Sequence, residues 1–234
     1  NNKWLSLDAG TEYSYTDVIQ TYDIDNSELG IDNSNDMTEQ NRWAMFVSAN
    51  ARVGKWGFGA GLRYENINFD YYQNQVYNNE QSKSYGKFFP NVQVGYSSDN
   101  IQTVVGYERK IQYPTYSQLR SSVQYSSPFV YESGNPLLQP QIQNDFTGML
   151  AYKELKVMLG YTIYEDYITQ LMSLYDGNPI VLISTENVKD VSSSFFAVSY
   201  TPVIHFWRPN FEVGGQWQSF DLGDGQDYNK PIFK

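Results

Sequence analysis

The sequence predicts an all-β chain, an antiparallel meander of about nine or ten long strands that forms part of a transmembrane β-barrel. Three observations predict it. Apolar and polar residues alternate at period two over long windows, which gives each strand two chemically different faces. The connections between these windows alternate between short and long along the chain. Aromatic side chains, 17 % of all residues and led by Tyr, gather towards the strand ends, where an apolar ring with a polar tip suits a membrane interface.

The elements follow in order. The first strand, near 3–17, holds Trp4 at one end and Tyr13 and Tyr15 towards the other. A long connection, 18–38, leads to the strand 39–53 with Trp43, and Gly54-Lys55 turns tightly into 56–70. There the alternation is clearest: Trp56, Phe58, Ala60, Leu62 and Tyr64 share one face, with Gly57, Gly59, Gly61 and Arg63 on the other. A helix would scatter these residues around its axis. The long connection 71–81, opening on Tyr71 and Tyr72 just after Phe69, leads to a strand at 82–98; the short turn Ser97 to Asn100 leads to 101–113, which carries Tyr107 and Tyr113.

After the long connection 114–138, the strand 139–153 sets Ile142, Phe146, Leu150 and Tyr152 against Gln143, Asp145, Thr147 and Lys153. Lys153-Glu154 is a short turn into 155–175. Asp176-Gly177-Asn178-Pro179 falls on the long-loop side yet is short; its flanking strands, 155–175 and 180–204, are the longest, so this hairpin is expected to project outward. His205 to Pro209, with Trp207, is short, and the last full strand, 210–222, alternates Phe211, Val213, Gly215 and Trp217 with Glu212, Gln216 and Gln218. Beyond the loop 223–229 the stub 230–234 is too short to cross. No helix is expected. Such strands exceed the globular mode of about 5–6 residues, and a tilted membrane crossing needs roughly 9–11.

Composition narrows the function. The formal charge of -10 argues against a nucleic-acid partner, which needs a basic footprint. Zero cysteines remove disulfides, thiolate catalysis and Cys-ligated zinc. No run approaches 18 apolar residues, so no helix is expected to cross a membrane.

The run Arg109 to Leu119, RKIQYPTYSQL, followed by ESGNPLLQP at 132–140 and the alternating strand IQNDFTGMLAY, resembles the C-terminal barrel portion of TonB-dependent outer-membrane receptors of the Bacteroidetes-type outer membrane protein beta-barrel family. Arg109, Pro114, Leu119, Gly134, Asn135, Pro136, Leu138 and Pro140 occupy the motif positions. Tyr113 stands where Arg is common and Gln141 where Glu is common. The distinctive part covers about 60 residues, Arg109 to Ile168, and the remainder is similar by periodicity. The motif residues are read as shaping a loop and launching a strand: Gly permits positive φ, and a residue before Pro is pushed to extended geometry.

The resemblance implies a large closed barrel filled by an N-terminal plug, placed in the outer membrane and driving uptake of a scarce solute (siderophore, glycan or peptide) through TonB. Its implied partners are outer-membrane lipid, the remainder of the same barrel with its plug, TonB through segments absent here, and a surface lipoprotein as a further candidate. Residues 1–234 are expected to be a single barrel segment truncated at both ends, since nine crossings and a stub have the wrong parity for a bacterial barrel.

No catalytic constellation, cofactor site or metal site emerges, and the chain is not expected to be an enzyme. His205, the lone histidine, sits in a turn without a nucleophile or acid nearby. Asp23 to Asp36 is rich in oxygen ligands but fails the EF-hand spacing, with Gly30 eighth and Ser34 twelfth, and reads as a solvated acidic loop. Glu165 and Asp166 are adjacent on a strand and point to opposite faces. Charges in strands, among them Glu65, Glu108, Arg109, Lys110 and Asp145, are expected to face the lumen or stand beyond the hydrocarbon. Tyr71, Tyr72, Tyr116 and Tyr125 in the long loops are the candidate solute contacts, since aromatics offer large contact area with a polar handle. Two alternatives remain open. One is a complete small barrel, an adhesin or a narrow porin, whose last strand pairs with its first; the other is a soluble glycan-binding β-sandwich with a two-layer core.

Overall fold

The computed structural model describes residues 4–25, 30–189, 191–221, 227–228 and 231–233. In chain order the strands are β1 (Leu5–Tyr22), β2 (Ser34–Val53), β3 (Trp56–Gln73), β4 (Val76–Tyr77), β5 (Lys83–Ser97), β6 (Ile101–Gln112), β7 (Val123–Ser127), β8 (Val130–Ser133), β9 (Gln141–Tyr152), β10 (Leu155–Glu165), β11 (Tyr167–Leu174), β12 (Val181–Val188), β13 (Val191–Tyr200), β14 (Phe211–Asp221), β15 (Asp227–Tyr228) and β16 (Pro231–Phe233). Long strands form one antiparallel meander, β1-β2-β3-β5-β6-β9-β10-β13-β14-β15, with β4 on β3 and β16 on β14. The nine expected crossings are all present.

The register fixes two faces. Across β2, β3 and β5 the row Ala49, Ala60 and Val92 is in register, and the rows either side of it, Ser48–Gly61–Asn91 and Asn50–Gly59–Gln93, are polar or bare. One face is therefore an apolar belt running through Val47, Leu62, Val105, Leu150, Leu159 and Val213, all more than a third exposed. Its upper edge is an aromatic row: Tyr64 and Phe88 lie 4.9 Å apart between centroids, Tyr107 and Phe146 4.9 Å, and Phe196 and Trp217 5.5 Å. Its lower edge carries Trp56 and Tyr96 at 5.0 Å. From Trp56 to Tyr64 the strand advances about 26 Å at roughly 3.3 Å per residue, enough for a tilted strand to cover a belt of about 25 Å.

Above the upper aromatic row the same face turns polar. The Tyr13 hydroxyl donates to Asn41 Oδ1 at 2.9 Å, Tyr107 to Asn144 Oδ1 at 3.0 Å, and Arg109 Nη2 meets Glu165 Oε2 at 3.0 Å. Arg109 and Glu165 thus stand outside the lumen but beyond the apolar belt, and pair with each other. Glu65, Glu108, Lys110 and Asp145 lie on the opposite, polar face, as the register of β3, β5, β6 and β9 requires.

Several boundaries differ from expectation. β1 and β2 run further into the connection 18–38, because the polar alternation continues there on a paired ladder. The windows 155–175 and 180–204 are each divided. Asp166 takes φ +54°, which breaks the ladder between β10 and β11, and the second break falls between β12 and β13. The freed hairpin β11–β12 joins β8 and β7 in a separate four-stranded sheet, in which β12 and β8 run parallel. One 3-10 turn, Tyr116–Leu119, occurs where no helix was expected.

Among the described residues no second layer packs on the belt, whose side chains stay exposed, so the sandwich alternative falls. Among the same residues β1 and β14 do not pair. Residues 26–29 of the acidic segment and most of the loop 223–229 lie outside the described residues; Pro231–Phe233 of the stub form β16. No helix among the described residues is long and apolar enough to cross a membrane.

Candidate functional site: a loop canopy over the polar face

The connection between β6 and β9, residues 113–140, does not extend away from the wall. It folds back onto the polar face of β2, β3 and β5, and buries the small core of the molecule: Phe69, Tyr71, Leu119 and Leu138. Strands β7 and β8 within it recruit β11 and β12, so that a canopy spans from the β10–β13 side to the β1–β2 side.

The motif residues other than Arg109, which lies on β6 and pairs with Glu165, stand in this canopy. Gly134 is required by a close approach: a Cβ there would lie 2.5 Å from the Arg120 carbonyl and 2.8 Å from that of Gln118. The neighbouring Asn135 N–H donates to the same Gln118 carbonyl at 2.6 Å. Asn135 also accepts from the Leu137 N–H through Oδ1 at 2.9 Å, an Asx turn, while its Nδ2 donates to Glu186 Oε2 on β12 at 2.9 Å. Leu138 is 2 % exposed. Pro114 and Pro140 line, with Leu119 and Leu138, a residual space of only about 20 Å³, so the contact is closely packed.

Two polar clamps hold the canopy to the wall. Asp36 on β2, 1 % exposed, accepts from the Ser121 N–H at 2.7 Å and from its hydroxyl at 2.8 Å. Lys83 on β5 donates through Nζ to the carbonyls of Leu138 at 2.6 Å and Pro136 at 3.2 Å. Further ties reach β1 and the connection that follows it: the Tyr125 N–H donates to the Tyr22 hydroxyl at 3.2 Å, and the Tyr175 hydroxyl to the Gly30 carbonyl at 3.3 Å. On the β10 side Asn187 Nδ2 donates to the carbonyls of Gln139 and Asp166, and the Ile168 N–H donates to Gln141 Oε1.

Beneath the canopy, a chain of charges crosses the wall. Glu12 bridges Arg42 at 2.8 Å and Arg63 at 2.9 Å, Arg63 also holds Glu65, and Glu65 accepts the Tyr113 hydroxyl at 2.6 Å. Burial and the Glu65 carboxylate push the Tyr113 phenol up, keeping it the donor. Burial also draws the Arg120 guanidinium down from its ordinary value, against the pull of Glu132. Sequence reasoning placed Asp36 at the end of a solvated acidic loop, whereas it is buried on β2, and it missed Lys83 and Ser121, whose only local signals were a polar residue in an alternating strand or a loop.

The four tyrosines are placed differently from one another. Tyr71 is fully buried, because its register puts it on the face the canopy covers; it is a wall of the core and offers no contact surface. Phe69 and Tyr113 likewise turn inward instead of joining an interfacial girdle. Tyr72 points to the opposite face and packs edge-on against Tyr77 at 5.5 Å. Tyr116, whose hydroxyl donates to Gln40 at 3.3 Å, and Tyr125, which packs 5.9 Å from Tyr131, remain in the canopy. His205 lies in a turn with φ +61°, and no His, Cys, Asp and Glu group among the described residues has the geometry to hold a metal.

The sequence profile of the outer membrane protein beta-barrel family matches residues 1–233, and the chain belongs to that family, whose place is the outer membrane. No curated protein sequence matches it. Among solved structures, its fold is similar to that of the FrpB iron transporter of Neisseria meningitidis (TM-score 0.52, 9 % identity), covering 99 % of this chain and 33 % of that one. It is also similar to the ferric enterobactin receptor PfeA of Pseudomonas aeruginosa (TM-score 0.50, 11 % identity), covering 98 % of this chain and 42 % of that one. The chain thus spans less than half the length of either.

Proposed function

We propose that this outer-membrane chain is an arc of the barrel of a TonB-dependent receptor that takes up a scarce solute, and that its work is transport, not catalysis. The observation that carries the reading is the canopy: a long connection folded inward over a charged face, on a wall whose other face is an apolar belt. An adhesin needs no such inward packing, and an open pore is narrowed by it.

The exposed backbone edge of β1 supports the view that further strands complete the wall, because unpaired backbone groups in hydrocarbon cost several kcal/mol each. A plug and a TonB-contacting segment belong to that remainder. Tyr116 and Tyr125 are the solute-contact candidates that stay accessible, and the Glu12–Arg42–Arg63 chain is the lumenal surface beneath them. The two similar receptors named above make an iron carrier the first solute class to test.

The test is uptake in cells. Deletion of the natural gene is expected to abolish energy-dependent accumulation of radiolabelled iron supplied as ferric enterobactin, or of a labelled oligosaccharide or peptide, and a protonophore is expected to do the same to the parent strain. Unchanged, energy-independent uptake of the whole panel contradicts the reading.

A further inference from the structure

The canopy sheet, β11-β12-β8-β7, has two outer edges, and they differ. The edge at β7 is guarded. That strand has 5 residues, its register to β8 shifts between Tyr125 and Ser127, Pro128 follows it, and the Tyr125 N–H is taken by the Tyr22 hydroxyl. The edge at β11 is bare. Its 8 residues, YITQLMSL, hold no charge and no proline, and they pair with β12 without a shift, from Tyr167 opposite Val188 to Leu174 opposite Val181. The ladder gives the direction of the β11 backbone. The Tyr175 N–H donates to the Ile180 carbonyl at 2.9 Å, so the bonded pairs that recur at every second residue are Ser173 with Leu182, Leu171 with Ser184 and Thr169 with Glu186. Ile168, Gln170, Met172 and Leu174 therefore aim N–H and C=O away from β12. At Ile168 that N–H meets Gln141 Oε1 at 3.0 Å; at Gln170, Met172 and Leu174 no described residue takes these groups. All three side chains are exposed, Met172 by 76 % and Leu174 by 65 %.

We propose that the β11 edge is a docking site for a free extended oligopeptide, which adds to the canopy sheet as a fifth strand. Outward donors and acceptors that recur about every 6.8 Å, two residues of rise, match the repeat of another extended backbone. The side chains of Met172 and Leu174 flank that backbone and select apolar residues at alternate positions of the peptide. Placement selects a free peptide over a second copy of the chain. β11 rises over the polar face, with the Tyr167 ring 5.6 Å from Phe220 of β14 and the Ile168 N–H on Gln141 of β9. The walls of two barrels in one membrane therefore hold their β11 edges apart. This position at the mouth rests on the transport reading, in which the polar face is the lumenal one.

The test uses the full-length protein in nanodiscs, with an acetylated, fluorescein-labelled heptapeptide that alternates threonine and valine as the probe. Fluorescence anisotropy is expected to show saturable binding that empty nanodiscs lack, and the bound peptide to slow hydrogen exchange at the amides of residues 170, 172 and 174. Methylation of the three central nitrogens of the peptide, which blocks both of its edges, is expected to weaken binding about tenfold or more, the effect of one or two lost hydrogen bonds. Met172→Pro removes an outward N–H and no bond to β12, and is expected to do the same. Equal affinity for the methylated peptide, or no saturable binding, overturns the docking site. So do amides at 172 and 174 that are protected without peptide, which would mark an edge covered by the remainder of the same protein. Energy-dependent uptake of an iron carrier without peptide binding overturns the edge alone, whereas a peptide that binds but is never accumulated by energised cells supports the edge and contradicts the transport reading.

Discussion

The Asp36 carboxylate and Ser121, 85 residues apart in sequence, are joined by both the backbone N–H and the hydroxyl of the serine. Two canopy donors thus meet this buried carboxylate and bind strand β2 to the loop 113–140. Ser121→Ala removes one charge-assisted bond and is expected to cost about 1.5–3 kcal/mol of canopy stability. Hydrogen exchange should rise across residues 113–140 while the belt strands stay protected. Uniform exchange across all strands would show that the canopy does not open separately.

Gly134 meets backbone, which cannot move aside as a side chain can. Gly134→Ala places a methyl against the carbonyls of Arg120 and Gln118 and is expected to cost about 1–3 kcal/mol. Limited proteolysis of the folded protein should cut within 113–140 in the variant and spare the parent.

Adjacent leucines in the motif give a sharper contrast. Leu138 is buried against Phe69, Tyr71 and Leu119, whereas Leu137 is 54 % exposed. Leu138→Ala is expected to destabilise by about 2–5 kcal/mol, and Leu137→Ala by no more than about 0.5 kcal/mol. Denaturant titration of the reconstituted protein, followed by the protection of residue 119, separates the two.

The wall and the canopy were unequally legible in sequence. The wall follows from a period of two: in Trp56 to Tyr64 each residue announces its face, and the pairing to β2 and β5 follows from neighbouring strands with the same period. The canopy depends on contacts between residues far apart, such as Lys83 with the Leu138 carbonyl or Asn135 with Glu186, and no local pattern encodes them. Tyr71 shows the cost. An aromatic residue at a strand end reads as interfacial, yet its parity assigns it to the polar face, where 113–140 buries it. Gly134 and Asn135 were legible as a turn, but the Arg120 carbonyl that makes the glycine necessary was not.

The belt predicts an asymmetry in tolerance of charge. Leu159→Arg, in mid-belt, is expected to destabilise by about 2–4 kcal/mol, whereas Thr147→Arg, on the polar face, is expected to be far milder. Unfolding of the protein from phosphatidylcholine vesicles measures both; equal penalties would contradict the assignment of faces.

The most direct test of the two-faced wall is a scan along β3. Single cysteines at positions 57 to 62 of the full-length protein carry an environment-sensitive fluorophore, and quenching by nitroxide-bearing lipid is read at each. Strong quenching at 58, 60 and 62 with little at 57, 59 and 61 is the result predicted for a strand with one face in lipid and the other on the lumen. Quenching without alternation, or absent throughout, would contradict a barrel wall.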